Sequence, residues 1–433
     1  MTRNVLTAKQ TATRLGVKLE TVYAYVSRGV LRRTLADDDR TSLFNPAEVD
    51  RLARHGRPRR DVARVGAVDV SLSTAITEIH DDRLLFRGHD AVALARSSTF
   101  EAVAELLWTG VLPGAVTWPG PPQGARVARA AAGALPVTTA PTERLAVITA
   151  ALACVHPLRM DLRPNAVAAH ARAMLASFAE LLPLAGPPAR AGERAGERAG
   201  SRRASSVGGK TGRLAERLWS RLSPLPGTPE RVALLDAALV LLSDHELATS
   251  TLAARVAASA RADPFAVVLA GLGAVSGVLH GRAARGVHEL HLRAGSSSPE
   301  LAVAHAFDET TGFFGFAHPV YRGIDPRAAF LLEALSRAMK REDRALLEAV
   351  RRAGSRTSGA EPNVDFALGA LAFGMAMPVG ATEAIFAIAR TAGWIAHALE
   401  EYGESPLRFR ARAVYIGPEE GRDVADEGRR RAR

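Results

Sequence analysis

Cysteine is almost absent: one residue, Cys154, stands in a chain of 433. This excludes an internal disulfide and any cysteine cluster holding zinc. No run approaches the roughly 20 apolar residues that a membrane helix needs. The N-terminal stretch MTRNVLTAKQTATRLG lacks the apolar core of a secretory signal, so a cytoplasmic protein without membrane contact is expected. Nucleotide loops are missing as well. GGKTG at 208–212 has the ending of a phosphate loop, but Ala204 occupies the place of the required earlier glycine and no apolar strand precedes it. Gly271-Leu272-Gly273 lacks the spacing of a dinucleotide loop, and close helix packing accounts for it better. Strand-like alternation is confined to Val65–Leu72 and Arg83–Arg87.

What is present is globular: 47% hydrophobic and 23% charged residues, enough for a large core or for several domains. The formal charge is +11. It suits polyanionic partners, and it equally reflects the Arg-for-Lys bias of an Ala-, Arg- and Gly-rich chain. The basic residues concentrate in the first 60 positions and in ARAGERAGERAGSRR at 189–203. The latter has no large apolar residue and cannot bury a core, so 186–212 reads as a flexible insertion. The tail 421–433 reads as disordered.

Elsewhere apolar residues recur every three and four positions. Examples are Ser98–Leu112, Glu230–Leu242 and the Ala-rich Leu252–Arg261, and the expected fold class is all-α. At the N-terminus Thr7 can cap a helix with Ala8, Ala12 and Leu15 inside, and Gly16 ends it. A second helix runs through Thr21, Val22, Tyr25 and Val26 to Arg28, and Gly29 ends it. Leu31–Phe44 reads as a β-wing, and Asn45-Pro46 starts a third helix. LTAKQTATRLGVKLETVYAYVSRGVLRR resembles the winged helix-turn-helix of excisionases and mercury-resistance-type regulators. The resemblance implies that Lys18, Thr21, Tyr23 and Arg28 face a DNA major groove, with Arg32, Arg33, Arg40 and the GRPRR run on phosphates. A docking or dimerisation module reusing the fold is the alternative.

Four islands break the amphipathic pattern: SDHELATST around His245, SGVLHGRAARGV around His280, GFAHPVYRGIDPRA with His318 and Arg327, and PNVDF with Asp365. Histidines, an acid and arginines in separated loops point to a site for a small polyanion. With TAITEIHDDRLLFRGHDAVALA before them and FAIARTAGWIAH and RARAVYIGP after them, in the same order as in the family, they resemble the citrate synthase family. That resemblance implies large and small helical domains behind the winged helix. Residues 1–60 would be the winged helix, 65–264 with 371–420 the large domain, and 265–370 a small domain closing over substrate. It also implies condensation of acetyl-coenzyme A with oxaloacetate, with no cofactor beyond that co-substrate.

By the same resemblance Asp365 is the base, His280 stabilises the enol or enolate, and His318 polarises the ketone. His245, Arg327, Arg390 and Arg410 bind oxaloacetate. The last arginine comes from the partner subunit, so a homodimer is implied. Arginine suits the carboxylates because its planar fork donates two parallel bonds. Taken alone, Asp365 could be a helix N-cap, and Arg390 could pair with Glu383 or Glu400. The chain departs from the family pattern at Pro319, Ala248, Arg282 and Arg285. Two alternatives therefore stay open: a 2-methylcitrate synthase using propionyl-coenzyme A, and a DNA-binding regulator that keeps the fold as a metabolite sensor.

Overall fold

The computed structural model describes residues 5–27, 31, 33–35, 41–46, 49, 70–122, 124–185, 212–308, 315–321 and 323–410. Arg28, Arg32, Arg40, the GRPRR run, nearly all of the 186–212 insertion and the 421–433 tail lie outside them. The chain divides into two compact units, Met1–Ser73 and Thr74–Arg433.

In the first unit, β1 (Leu6–Thr7) leads into α1 (Ala8–Leu15) through a capping box. The Thr7 hydroxyl accepts from Gln10 N, and the Gln10 side chain accepts from Thr7 N at 2.8 Å. Gly16 closes the helix in the left-handed region (φ 62°), where glycine carries no Cβ penalty. Then come α2 (Leu19–Ser27) and the antiparallel strands β2 (Arg33–Leu35) and β3 (Ser42–Phe44), in sheet order β1-β3-β2. Ala8, Ala12, Val22, Tyr25, Leu31, Phe44 and Val49 form its core. Of the helix expected from Asn45 onward, only Asn45, Pro46 and Val49 are among the described residues.

Among its described residues the second unit is helical apart from a meander of β4 (Thr77–His80), β5 (Arg83–Phe86) and β6 (His89–Asp90). Residues 70–72, where alternation suggested a strand, carry none. Among the described residues the helices are α3 (Ala91–Ser97), α4 (Phe100–Thr109), α5 (Ala125–Gly133), α6 (Pro141–Val155), α7 (Pro164–Leu181), α8 (Leu214–Leu222), α9 (Pro229–Leu242), α10 (Thr249–Ser259), α11 (Pro264–Val275), α12 (Ala283–Ser296), α13 (Pro299–Asp308), α14 (Pro326–Ala338), α15 (Arg341–Ser358), α16 (Val364–Gly374) and α17 (Ala381–Tyr402). None is long and apolar enough to cross a membrane.

Helix α17 is the axis of the core. Every residue from Ala381 to Ala398 is buried, as befits a helix that is apolar on all sides. Trp394 lies flat on Gly271 of α11, where an added Cβ would fall 2.5 Å from its ring. Close helix packing thus explains that glycine. The order of elements also sets the site. The loop after α9, the turn between α11 and α12, the segment before α14 and the start of α16 meet around α17.

Candidate active site

Residues 315–317 reach the segment before α16 by strand-like bonds. Ala317 N donates to Glu361 O at 3.0 Å, Asn363 N to Gly315 O at 2.9 Å, and Asn363 Nδ2 to Ala317 O at 2.8 Å. Gly315 (φ 94°) sits where a Cβ would meet Val287 at 2.6 Å, so no other residue fits without rearrangement. Ala317 takes φ 60°, a left-handed conformation that strains a non-glycine residue and marks the turn presenting His318. Asn363 caps α16 by accepting from Asp365 N and Phe366 N. Asp365 is therefore not the cap, and its carboxylate accepts no hydrogen bond among the described residues.

Asp325 organises the second half of the site. Its Oδ1 and Oδ2 receive Nε and Nη2 of Arg327 at 3.0 and 2.8 Å, and Oδ2 also receives Val364 N at 2.9 Å. One buried carboxylate thus aims Arg327 and anchors the helix of Asp365. His318 Nδ1 accepts from Val320 N at 3.2 Å, which leaves the proton of a neutral ring on Nε2. That nitrogen lies 3.5 Å from Arg327 Nη2. Both atoms are donors, so they do not bond each other; they converge on a place for an acceptor.

His245 projects from the loop after α9, its Nε2 3.0 Å from the Tyr321 hydroxyl and its ring 5.1 Å from that of His318. His280 ends the turn after α11, with Nε2 2.8 Å from Ser250 Oγ at the start of α10 and its ring edge on Phe386. A side-chain hydroxyl holds this imidazole. Arg390, in mid-α17, donates Nε to Leu242 O at 2.9 Å and lies over the Phe386 ring. It pairs with neither Glu383 nor Glu400: Glu383 faces Arg282 at 3.5 Å, and Glu400 meets Arg255 at 2.8 Å. Arg390 Nη1 is buried without a hydrogen-bond partner.

Burial sets the charge states. It lowers His280 and His318 to about 4, with Arg390 acting further on His280 and Arg327 on His318, and it drives His245 well below the usual range. All three rings are neutral at pH 7. Burial raises Asp365 to about 6; Asp325 adds to this, while Arg327 and Arg390 oppose it. Arg390 falls to about 10, again through burial, and stays charged. The two guanidiniums thus act on His245 and Asp365 together, which places these groups around one centre.

The family described as "Citrate synthase, C-terminal domain" matches residues 67–412. The chain belongs to the citrate synthase family. It is 33% identical over 205 residues to a citrate synthase of Saccharolobus solfataricus (44% of this chain, 54% of that protein). It is 34% identical over 210 residues to a citrate/2-methylcitrate synthase of Bacillus subtilis (47% and 56%). The chain spans about half the length of these curated relatives. Its fold is that of a citrate synthase of Thermoplasma acidophilum solved as a ternary complex with carboxymethyl coenzyme A and oxaloacetate: TM-score 0.61, 23% identity, 83% of this chain and 97% of that one.

Of the residues singled out from the sequence of this citrate synthase family member, His245, His280, His318, Arg327, Asp365 and Arg390 gather in one region. Arg410 does not: it is exposed, beyond α17, and bonds to none of them. Lys18 and Tyr23 are exposed and Thr21 is half-buried in the first unit, and Arg28 lies outside the described residues. Sequence reasoning missed Tyr321, Asp325 and Ser250. Only Asp325 had a local signal, because Asp-Pro ahead of an apolar run marks a helix N-cap. Of the added arginines, Arg282 faces Glu383, and Arg285 bonds Glu289 at 2.9 Å.

Proposed function

We propose that the chain condenses an acyl-coenzyme A, acetyl in the first instance, with oxaloacetate and hydrolyses the thioester. The observation that carries this is the convergence of unpartnered groups of complementary kinds: a free carboxylate on Asp365, a free donor on His318, and a buried, unpaired guanidinium nitrogen on Arg390. Asp365 takes a proton from the acyl methyl, and its raised pKa makes it a stronger base than a solvated aspartate. His280, held by Ser250, donates to the enol or enolate oxygen. The carbon so freed attacks the ketone of oxaloacetate while His318 Nε2–H stabilises the growing alkoxide. Arg327, Arg390 and His245 hold the dicarboxylate. Water then cleaves the thioester, giving citrate and coenzyme A. Coenzyme A serves as co-substrate, and no other cofactor enters this scheme.

In the same reading 265–370 closes over substrate against the rest of the helical unit. Arg410 serves the site of a partner subunit in a cytoplasmic homodimer. A thiol-release assay decides it: turnover with acetyl-coenzyme A that requires oxaloacetate and elutes with a dimer is expected. No turnover with either acetyl- or propionyl-coenzyme A sinks the reading. Faster turnover with propionyl-coenzyme A makes the product 2-methylcitrate, a change of one methyl worth about 1–3 kcal/mol.

A second activity, binding of duplex DNA, is supported by the first unit. Two helices joined at Gly16 precede an antiparallel hairpin, and Lys18, Leu19 and Tyr23 stand exposed on the second helix or just before it. That arrangement fits a winged helix-turn-helix. Its affinity is expected to fall steeply with salt. Salt-insensitive binding, or none by the full chain in a low-salt gel shift, removes it.

A further inference from the structure

His245 follows Asp244, and Asp244 is fully buried with polar groups stacked behind it. Its Oδ2 receives the Thr77 hydroxyl at 2.5 Å and lies 3.3 Å from His397 Nε2. His397 Nδ1 is 2.8 Å from Arg255 Nη1. Arginine only donates, so Nδ1 accepts and the His397 proton sits on Nε2, pointing at Asp244. Arg255 continues the chain, with Nη1 on Glu400 at 2.8 Å and Nε on Glu401 at 3.1 Å. Glu401 then receives Arg408 by a two-pronged bond, both arms 2.7 Å. Arg408 stands two residues before Arg410.

The same place carries independent signs of constraint. Leu407 is held in the left-handed region (φ 57°), unusual for leucine. Its N–H donates to Ser259 O at the end of α10 at 2.8 Å, and Arg261 donates to Glu404 O at 2.7 Å. A turn that leucine disfavours is thus pinned three residues before Arg410. Asp244, Arg255, His397 and Glu401 are each at most 1% exposed. Buried ion chains add little stability over apolar packing, so stability alone does not account for this one.

We propose that Arg255, His397 and Glu401 are positioning residues that tie the substrate loop at His245 to the root of the Arg410 segment. His245 and, 165 positions further along the chain, the root of Arg410, which serves the partner subunit's site, are thereby set by one network. The role rests on the oxaloacetate reading above.

Arg408 is the handle for a test, since its side chain is 27% exposed and lies outside the core. In the full chain, Arg408→Gln is expected to raise KM for oxaloacetate about tenfold, to change kcat less than about threefold, and to leave KM for acetyl-coenzyme A unaltered. Arg408→Lys should recover part of the loss. Should Arg408→Gln fail to fold, Leu407→Gly carries the test, because it relieves the strained backbone while loosening the same root. It should keep thermal stability and still raise KM for oxaloacetate. A folded variant with unchanged oxaloacetate KM, or with both KM values raised alike, overturns the proposal. If the native chain shows no turnover, the thermal shift given by oxaloacetate separates the two ideas. A shift present in the native chain and lost in Arg408→Gln supports the network without the reaction. No shift in either overturns both.

Discussion

Asp365→Asn is expected to lower kcat by about 10²–10⁴-fold, the usual contribution of a positioned general base. KM for oxaloacetate should hardly move, because the dicarboxylate is held by other groups. The exchange is nearly isosteric, and the helix start does not depend on the carboxylate: Asn363 supplies the cap. Loss of activity would therefore not be loss of fold. Stability should in fact rise. The folded pKa of Asp365 is about 6 against an ordinary 3.8. Near pH 3 the acid is protonated in both folded and unfolded chains and contributes nothing. Between 3.8 and about 6 the unfolded chain ionises first, and stability is lost. Above about 6 the full cost is present, on the order of 2–3 kcal/mol. Urea unfolding at pH 7.5 should find Asp365→Asn the more stable form, with the difference gone near pH 3.5. The native kcat/KM should climb with pH to a plateau above about 6, and the residual rate of the variant should lack that limb. A variant retaining native kcat would remove Asp365 from the chemistry.

The helical character was legible because it is local. Periodicity over Glu230–Leu242 corresponds to α9 at Pro229–Leu242, and α1 is bounded by the capping hydroxyl of Thr7 and the positive φ of Gly16. The islands were legible for the opposite reason: His318 in a glycine-rich turn, and Asp365 ahead of an apolar run, fit no amphipathic face. Their partners were not. His245 meets Tyr321 across 76 residues and His280 meets Ser250 across 30, and such pairs exist only after folding. Nor does periodicity say which side of α17 faces a ligand, since apolar residues surround it. The positive charge suggested anionic partners broadly, yet Arg282 and Arg285 are matched by nearby carboxylates. The informative cation is a fully buried one with a guanidinium arm left unbonded, and composition cannot identify it.

That cation is Arg390, and Arg390→Gln is expected to cut kcat/KM for oxaloacetate by about 10²–10³-fold, or roughly 3–4 kcal/mol. Arg327 spends two nitrogens on Asp325, whereas Arg390 spends only Nε, on Leu242 O. Phe386 supports its flat face, and Nη1 is sealed from water with nothing to bond. A buried donor left unbonded is costly. An incoming carboxylate relieves that cost as well as adding its own bonds, so most of the loss should appear in binding. The native chain should gain thermal stability with rising oxaloacetate, as binding to the folded state alone requires, and Arg390→Gln should gain none at the same concentrations. Arg390→Lys should not rescue, because a single ammonium cannot bond Leu242 O and also present a second nitrogen to the ligand. Calorimetric titration of oxaloacetate into the three proteins separates these outcomes. Equal affinity in all three would mean that the empty guanidinium arm faces something other than the substrate.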